Sequence, residues 1–216
     1  NLSYKEQANP DGIGQAFIIG EEFIGADSVC LILGDNIFYG EGFTEKLQKS
    51  KNLEEGSVVF ACHVTNPEQF GVVNFDENFK AIEIIEKPLN PESSHAVTGL
   101  YFYDNDVIEI AKNIAPSDRG ELEITDINNI YLKNNKMKVE LLGRGFSWMD
   151  TGTHDSLLEA GQFIKTLEEN QGLKVACLEE IAFQQGWIGK DILEVAAISL
   201  NKTKYGKYLR NILDTV

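Results

Sequence analysis

The strongest constraint on this chain is its continuous apolar runs of strand length. Val29–Leu33 has no polar interruption and stops at Gly34-Asp35-Asn36; Val58–Val64 is broken only by His63. A strand apolar on both sides needs cover on both faces, as in an α/β sheet, rather than one face in water. The segments between such runs carry helical spacing. After a turn at Pro10-Asp11-Gly12, the residues Ile13, Ala16, Phe17, Phe23 and Ile24 form an apolar stripe, with Asp11 as the expected N-cap. Helices are also predicted over Phe43–Lys51, 106–113 and 122–133, the last with Ile124, Ile127 and Tyr131 at helical spacing.

The middle of the chain changes character. Gly71–Phe75 and Ala81–Ile85, split by Asp76-Glu77-Asn78, predict a hairpin, and Ala96–Tyr103 a long aromatic strand. Val139–Leu142 and Phe146–Met149 return to strand, and from His154 onward Leu157, Gly161, Ile164 and Leu167 share one helical face. This alternation predicts a three-layer α/β core over 1–153 with a largely parallel sheet. A C-terminal helical region, 154–216, is expected to pack on it.

Charge excludes some functions. The net charge is −15 and no block of Lys and Arg occurs, so a nucleic-acid binder is not expected. No run approaches the ~20 apolar residues of a membrane span. Phosphate ligands on so acidic a chain would need a metal ion, helix N-termini and a few placed cations. Cys30, Cys62 and Cys177 are widely spaced and odd in number. Cys30 and Cys62 are expected as buried thiols, without a disulfide framework, in a reducing cytoplasm. His63, His95 and His154 do not cluster in sequence, and His63 is expected in the core.

Two carboxylates follow strands, where open α/β sheets bind ligands. Asp35 follows Val29–Leu33, and Asp150 follows Phe146–Met149. Each is either a metal ligand beside phosphate oxygens or part of a turn, with Thr153 or Asp155 capping the next helix. Magnesium takes one or two protein carboxylates and fills its other positions with water and phosphate, whereas zinc would call for a histidine or cysteine set. Glu86-Lys87-Pro88 ends a strand: Lys87 can neutralise a phosphate and Glu86 accept from sugar hydroxyls, or the two form a solvated ion pair before a turn. Pro10–Gln15 offers backbone N–H groups at a helix start, suited to a nucleotide.

Taken in order, six stretches resemble the sugar-1-phosphate nucleotidyltransferases, in particular the bacterial glucose-1-phosphate thymidylyltransferases. They are Pro10-Asp11-Gly12-Ile13-Gly14-Gln15-Ala16, Leu33-Gly34-Asp35-Asn36-Ile37-Phe38-Tyr39-Gly40, Glu86-Lys87-Pro88, Val97–Tyr103, Arg119–Asp126 and Trp148–Thr153. The resemblance implies a Rossmann-like nucleotidyltransferase domain with a mixed, mostly parallel sheet. It implies transfer of dTMP from dTTP to glucose 1-phosphate, giving dTDP-glucose and pyrophosphate for dTDP-rhamnose and other deoxysugars. It also implies a magnesium ion on Asp35 and Asp150, the sugar phosphate on Lys87, and glucose lined by Gly71, Glu86 and Val97. Gln7 and Gly12 would meet the thymine end, with Asn36 near the sugar, in a cytoplasmic homotetramer. Uridylyl or cytidylyl transfer by the same family stays open.

The family opens with a strand and a Gly-Gly-x-Gly-Thr-Arg-Leu loop that cradles the triphosphate, and these 216 residues contain no such stretch. The expectation is therefore a domain truncated at its N-terminus, the larger part of such an enzyme. By itself it would be inactive and poorly soluble. The alternatives are a non-catalytic module that binds sugar nucleotide or a partner chain, and a metal-dependent glycosyltransferase. The second is disfavoured because Gly34-Asp35-Asn36 lacks an Asp-x-Asp pair.

Overall fold

A computed structural model of the chain describes residues 2–215. The chain divides into two compact units, 1–152 and 153–216. Strands of the first unit are β1 (Val29–Ile32), β2 (Asn36–Tyr39), β3 (Ser57–His63), β4 (Gly71–Phe75), β5 (Ala81–Glu86), β6 (His95–Tyr103), β7 (Met137–Leu142) and β8 (Ser147–Asp150). Its helices are α1 (Gln15–Ile19), α2 (Glu21–Ile24), α3 (Phe43–Lys51), α4 (Val107–Asn113) and α5 (Ile124–Lys133).

The main sheet has the order β5-β4-β6-β3-β7, with β1 also on β6, while β2 and β8 form a separate two-stranded sheet. Three layers result from the alternation of side chains along β3 and β6. Val59, Ala61, Val97, Tyr101 and Tyr103 face Phe17, Val107, Ile108, Ile124, Ile127 and Tyr131 of the helices on one side. Val58, Phe60, Cys62, Leu100 and Phe102 face Phe38, Phe43, Leu47, Phe146 and Trp148 on the other. A buried carboxylate ties the first layer together: Asp104 accepts from the Tyr131 hydroxyl at 2.5 Å, the Gly56 N–H at 2.5 Å and the Asp106 N–H at 3.2 Å.

The sheet is mixed, as expected, but not mostly parallel. Among the described residues only β3 and β7 pair in parallel, and β1, β3 and β4 all meet β6 antiparallel. The reason is the long central β6, which runs against every neighbour it touches, together with the β4–β5 hairpin. One edge of β6 is shared end to end: β4 reaches it at Ala96, and β1 takes over from Leu100 to Tyr103. The stretch Val97–Gly99 lies at the break between them.

Four local expectations are corrected. β1 is not buried on both faces: Val29 and Leu31 pack on the core, while Cys30 and Ile32 are exposed, Ile32 by 62%. One layer covers one face of this strand, so alternate side chains remain outside. The first helix is two short ones, α1 and α2, separated at Gly20. Asp11 does not cap α1, whose N-cap Gly14 makes no side-chain bond, because the Asp11 carboxylate accepts from Gln15 Nε2 at 3.1 Å instead. His63 is exposed at the end of β3 rather than in the core.

The second unit contains α6 (His154–Gln171), α7 (Leu178–Gln184), α8 (Lys190–Ser199) and α9 (Lys204–Thr215). Thr153 starts α6 with a capping box: its hydroxyl accepts from the Ser156 N–H, and the Ser156 hydroxyl from the Thr153 N–H, both at 3.1 Å. Cys177, Leu193, Ala197 and Leu209 form this unit's own core. Among the described residues, no helix is long and apolar enough to cross a membrane.

Candidate active site

The break in the sheet beside β6 is where the candidate residues gather. Ligands in open α/β sheets bind at such discontinuities, beyond strand ends. β1 runs into it and delivers Leu33-Gly34-Asp35; the Leu33 N–H donates to Gly99 O at 2.9 Å, and the Gly99 N–H to Asn36 Oδ1 at 2.9 Å. β4 and β5 begin and end on its other side, where Gly71 stands opposite Glu86.

Asp35 and Asp150, 115 positions apart in sequence, are brought together by the β2–β8 ladder, which pairs Asn36 with Asp150. The turn after β8 locks the arrangement: the Thr151 N–H and hydroxyl both donate to Asp35 O, at 2.8 and 2.7 Å. A β-carbon on Gly152 would lie 2.9 Å from Asp150 Oδ1 and 3.8 Å from Asp35 Oδ2, so an oxygen of each carboxylate lies within 4 Å of one point at this turn. One oxygen of each is already held: Asp35 Oδ1 by Asn36 Nδ2 at 2.9 Å, Asp150 Oδ1 by the Gly152 N–H at 2.9 Å. Among the described residues no group of three or more His, Cys, Asp and Glu forms. An all-oxygen pair with one uncommitted oxygen each suits a hard cation that completes its shell with water and phosphate, and does not suit zinc.

Glu86 and Lys87 are held from a different direction. Glu86 Oε2 accepts from the Thr125 hydroxyl at 2.6 Å, and Arg119, bound to Glu123 at 2.9 Å, reaches Glu86 Oε1 at 3.5 Å. A β-carbon at Gly71 would sit 3.2 Å from Thr125 Oγ1 and 3.3 Å from Glu86 Oε2, closing over that pair. Lys87 takes a left-handed backbone, φ 43°, sparsely populated for a residue with a side chain. Its N–H donates to Phe70 O at 3.0 Å, and no ion pair of its exposed side chain occurs among the described residues. Val97 lies on β6 at the break, its side chain buried. Burial, followed by the charges of Glu86 and Asp150, pushes the Tyr101 phenol well above its usual range, so both carboxylates act on the same core ring.

Gln7 and Gly12 are in contact: Gln7 Nε2 donates to Gly12 O at 3.0 Å and to Gln15 Oε1 at 2.7 Å. Their loop is zipped to the Arg119–Asp126 segment, with the Leu122 N–H on Asp11 O at 2.7 Å and the Gly14 N–H on Leu122 O at 2.9 Å. The expectation of free N–H groups over Pro10–Gln15 is corrected in part: those of Asp11, Gly14 and Gln15 are spent within the protein, and no bond of the Gly12 or Ile13 N–H occurs among the described residues.

No sequence signal assigned roles to Thr125, Arg119, Glu123, Phe70 or Trp148, although three of them lie in Arg119–Asp126 and one in Trp148–Thr153. Trp148 bridges the two halves of the site. Its Nε1–H donates to Asn36 Oδ1 at 2.6 Å, and its ring meets Phe70 at 4.9 Å, the residue whose carbonyl holds Lys87.

Beside the break in the sheet lie two carboxylates with an oxygen each near one point and, held separately, Glu86 and the exposed side chain of Lys87. The chain belongs to the nucleotidyl transferase family, whose model matches residues 1–166. A glucose-1-phosphate thymidylyltransferase of Neisseria meningitidis serogroup A is 55% identical over 213 residues, 99% of this chain and 74% of that relative. One from Mycobacterium tuberculosis is 51% identical over 214 residues, again 99% of this chain and 74% of the relative. Among solved structures, a Bacillus anthracis protein assigned as a glucose-1-phosphate thymidylyltransferase, in complex with a sucrose, matches with a TM-score of 0.65 at 44% identity. That match covers 74% of this chain and 64% of the other. A UDP-glucose pyrophosphorylase complexed with UDP-glucose shares the fold at 24% identity and a TM-score of 0.64.

Proposed function

We propose that this chain belongs to a glucose-1-phosphate thymidylyltransferase, which transfers dTMP from dTTP to glucose 1-phosphate and releases pyrophosphate. The observation that carries this reading is the meeting of Asp35 and Asp150 at the Gly152 turn, joined through Trp148 and Phe70 to Lys87. Relatives bearing that name, at 51–55% identity over nearly the whole chain, support it.

Phosphoryl transfer is mainly positioning and charge neutralisation. Asp35 and Asp150 would hold a magnesium ion, which when bound offsets charge on phosphate oxygens. The Lys87 ammonium would sit against the phosphate of glucose 1-phosphate, lowering repulsion between two anions before they meet. Glu86, kept in place by Thr125 and Arg119, would accept from glucose hydroxyls beside Gly71 and the Val97 main chain. The sugar-phosphate oxygen then attacks the α-phosphorus of dTTP and pyrophosphate leaves, with no covalent protein intermediate. Gln7 and Gly12 would receive the base, and Asn36 would stand near the sugar. The product fits dTDP-rhamnose and deoxysugar synthesis by a homotetramer in the cytoplasm.

Lys87→Ala separates this reading from a generic nucleotide site. Titrating each ligand alone should show glucose 1-phosphate binding weakened at least tenfold, with dTTP binding nearly unchanged. Equal loss for both ligands would contradict the assignment of Lys87.

A further inference from the structure

Resting on the reading above that Asp35 and Asp150 hold a divalent cation, we infer that Trp148 is a positioning residue for Asp35, acting through the amide of Asn36. Trp148 and Asp150 lie two apart on one face of β8, and Asn36 stands opposite Asp150, so the indole reaches Asn36 diagonally across the ladder. Asn36 Oδ1 accepts twice, from Trp148 Nε1–H at 2.6 Å and from the Gly99 N–H at 2.9 Å.

Two donors on the same oxygen fix which way the amide faces. If it turned over, its NH2 would point at two N–H groups, and all of them would lose their partners. The NH2 end is therefore committed to Asp35 Oδ1, at 2.9 Å. That bond leaves Asp35 Oδ2 on the Gly152 side, where Asp150 also arrives. Without the indole N–H, a single backbone donor holds the amide and Asp35 can rotate away from Asp150. Charge repulsion between the two carboxylates favours that rotation whenever no cation is bound.

A purely structural role for Trp148 makes a different prediction. The ring packs in the apolar layer with Phe38, Phe43 and Phe146 and against Phe70, and phenylalanine at the same place keeps most of that contact. Trp148→Phe thus removes the N–H while largely preserving the layer.

The test is a titration of the purified full-length protein with Mn2+ alone, the free ion followed by its electron paramagnetic resonance signal, alongside urea unfolding. Trp148→Phe should weaken Mn2+ binding on the order of tenfold, as loss of a hydrogen-bonded support behind a metal ligand does, with little change in the unfolding midpoint. Asn36→Ala leaves the indole in place and is the second probe. It should show a similar loss, and Trp148→Phe added to it should cost nothing further. Wild-type Mn2+ affinity in either single variant, with Asp35→Asn abolishing binding, overturns the relay and leaves the two-carboxylate reading standing. Wild-type affinity in Asp35→Asn and Asp150→Asn overturns both.

Discussion

Gly12→Ala tests how the nucleotide-side loop is built. Gly12 has φ +98°, and a β-carbon there would come 2.5 Å from Leu122 O and 2.6 Å from Leu122 N. Both neighbours are backbone, held by the Leu122–Asp11 and Gly14–Leu122 hydrogen bonds, so neither can rotate aside as a flexible side chain would. Two costs arise: strain for a side chain at positive φ, ~1–3 kcal/mol, and overpacking against a fixed backbone, again ~1–3 kcal/mol. The substitution should destabilise the fold by about 2–6 kcal/mol. Two other glycines separate the costs. Gly25 has φ +60° with nothing within 4 Å, so Gly25→Ala should show the strain alone, about 1–3 kcal/mol. Gly143 has neither positive φ nor a neighbour within 4 Å, so Gly143→Ala should fall within about 0.5 kcal/mol of wild type. Urea unfolding gives the series directly if the slope with denaturant is unchanged. Because the Gly12 carbonyl holds Gln7, Gly12→Ala should also weaken dTTP binding more than glucose 1-phosphate binding. A Gly12→Ala protein as stable as Gly143→Ala would refute the claim that this loop is pinned against Leu122.

Asp35→Asn and Asp150→Asn, in a protein that turns over, should each lower the rate about 10²–10³-fold, the loss of one charge-stabilising group; near-normal pyrophosphate release would rule out the pair. Tyr131→Phe removes one of three donors to buried Asp104 and should cost about 1.5–3 kcal/mol, visible as a lower melting temperature; no change would mean Asp104 is satisfied without it. Burial, and then the nearby His63, lower the His95 pKa in the fold. The unfolded chain therefore takes up this proton first, and stability should fall as pH drops below about 6.5. His95→Gln should flatten that dependence between pH 8 and 5, and an identical profile in the variant would remove His95 as its source.

The sequence by itself determined where most elements lie, because apolar period is a local property. The runs at Val58–Val64 and Ala96–Tyr103, the hairpin around Asp76-Glu77-Asn78 and the helix carrying Ile124, Ile127 and Tyr131 all fold as their spacing indicates. It also singled out Asp35, Asp150, Glu86 and Lys87, since charged residues directly after apolar strands stand out locally. Strand direction and company were decided only by tertiary structure. That β6 runs antiparallel to three neighbours, that Cys30 and Ile32 stay outside, and that His63 ends a strand in solvent all depend on which layer covers which face. The same holds for the supports of the site. β2 is a four-residue strand that, among the described residues, pairs with β8 alone, more than a hundred residues later. The bonds from Thr125 to Glu86 and from Trp148 to Asn36 join segments 39 and 112 positions apart. Residue spacing has no term for such contacts, because they exist only once the sheet has brought distant chain segments together.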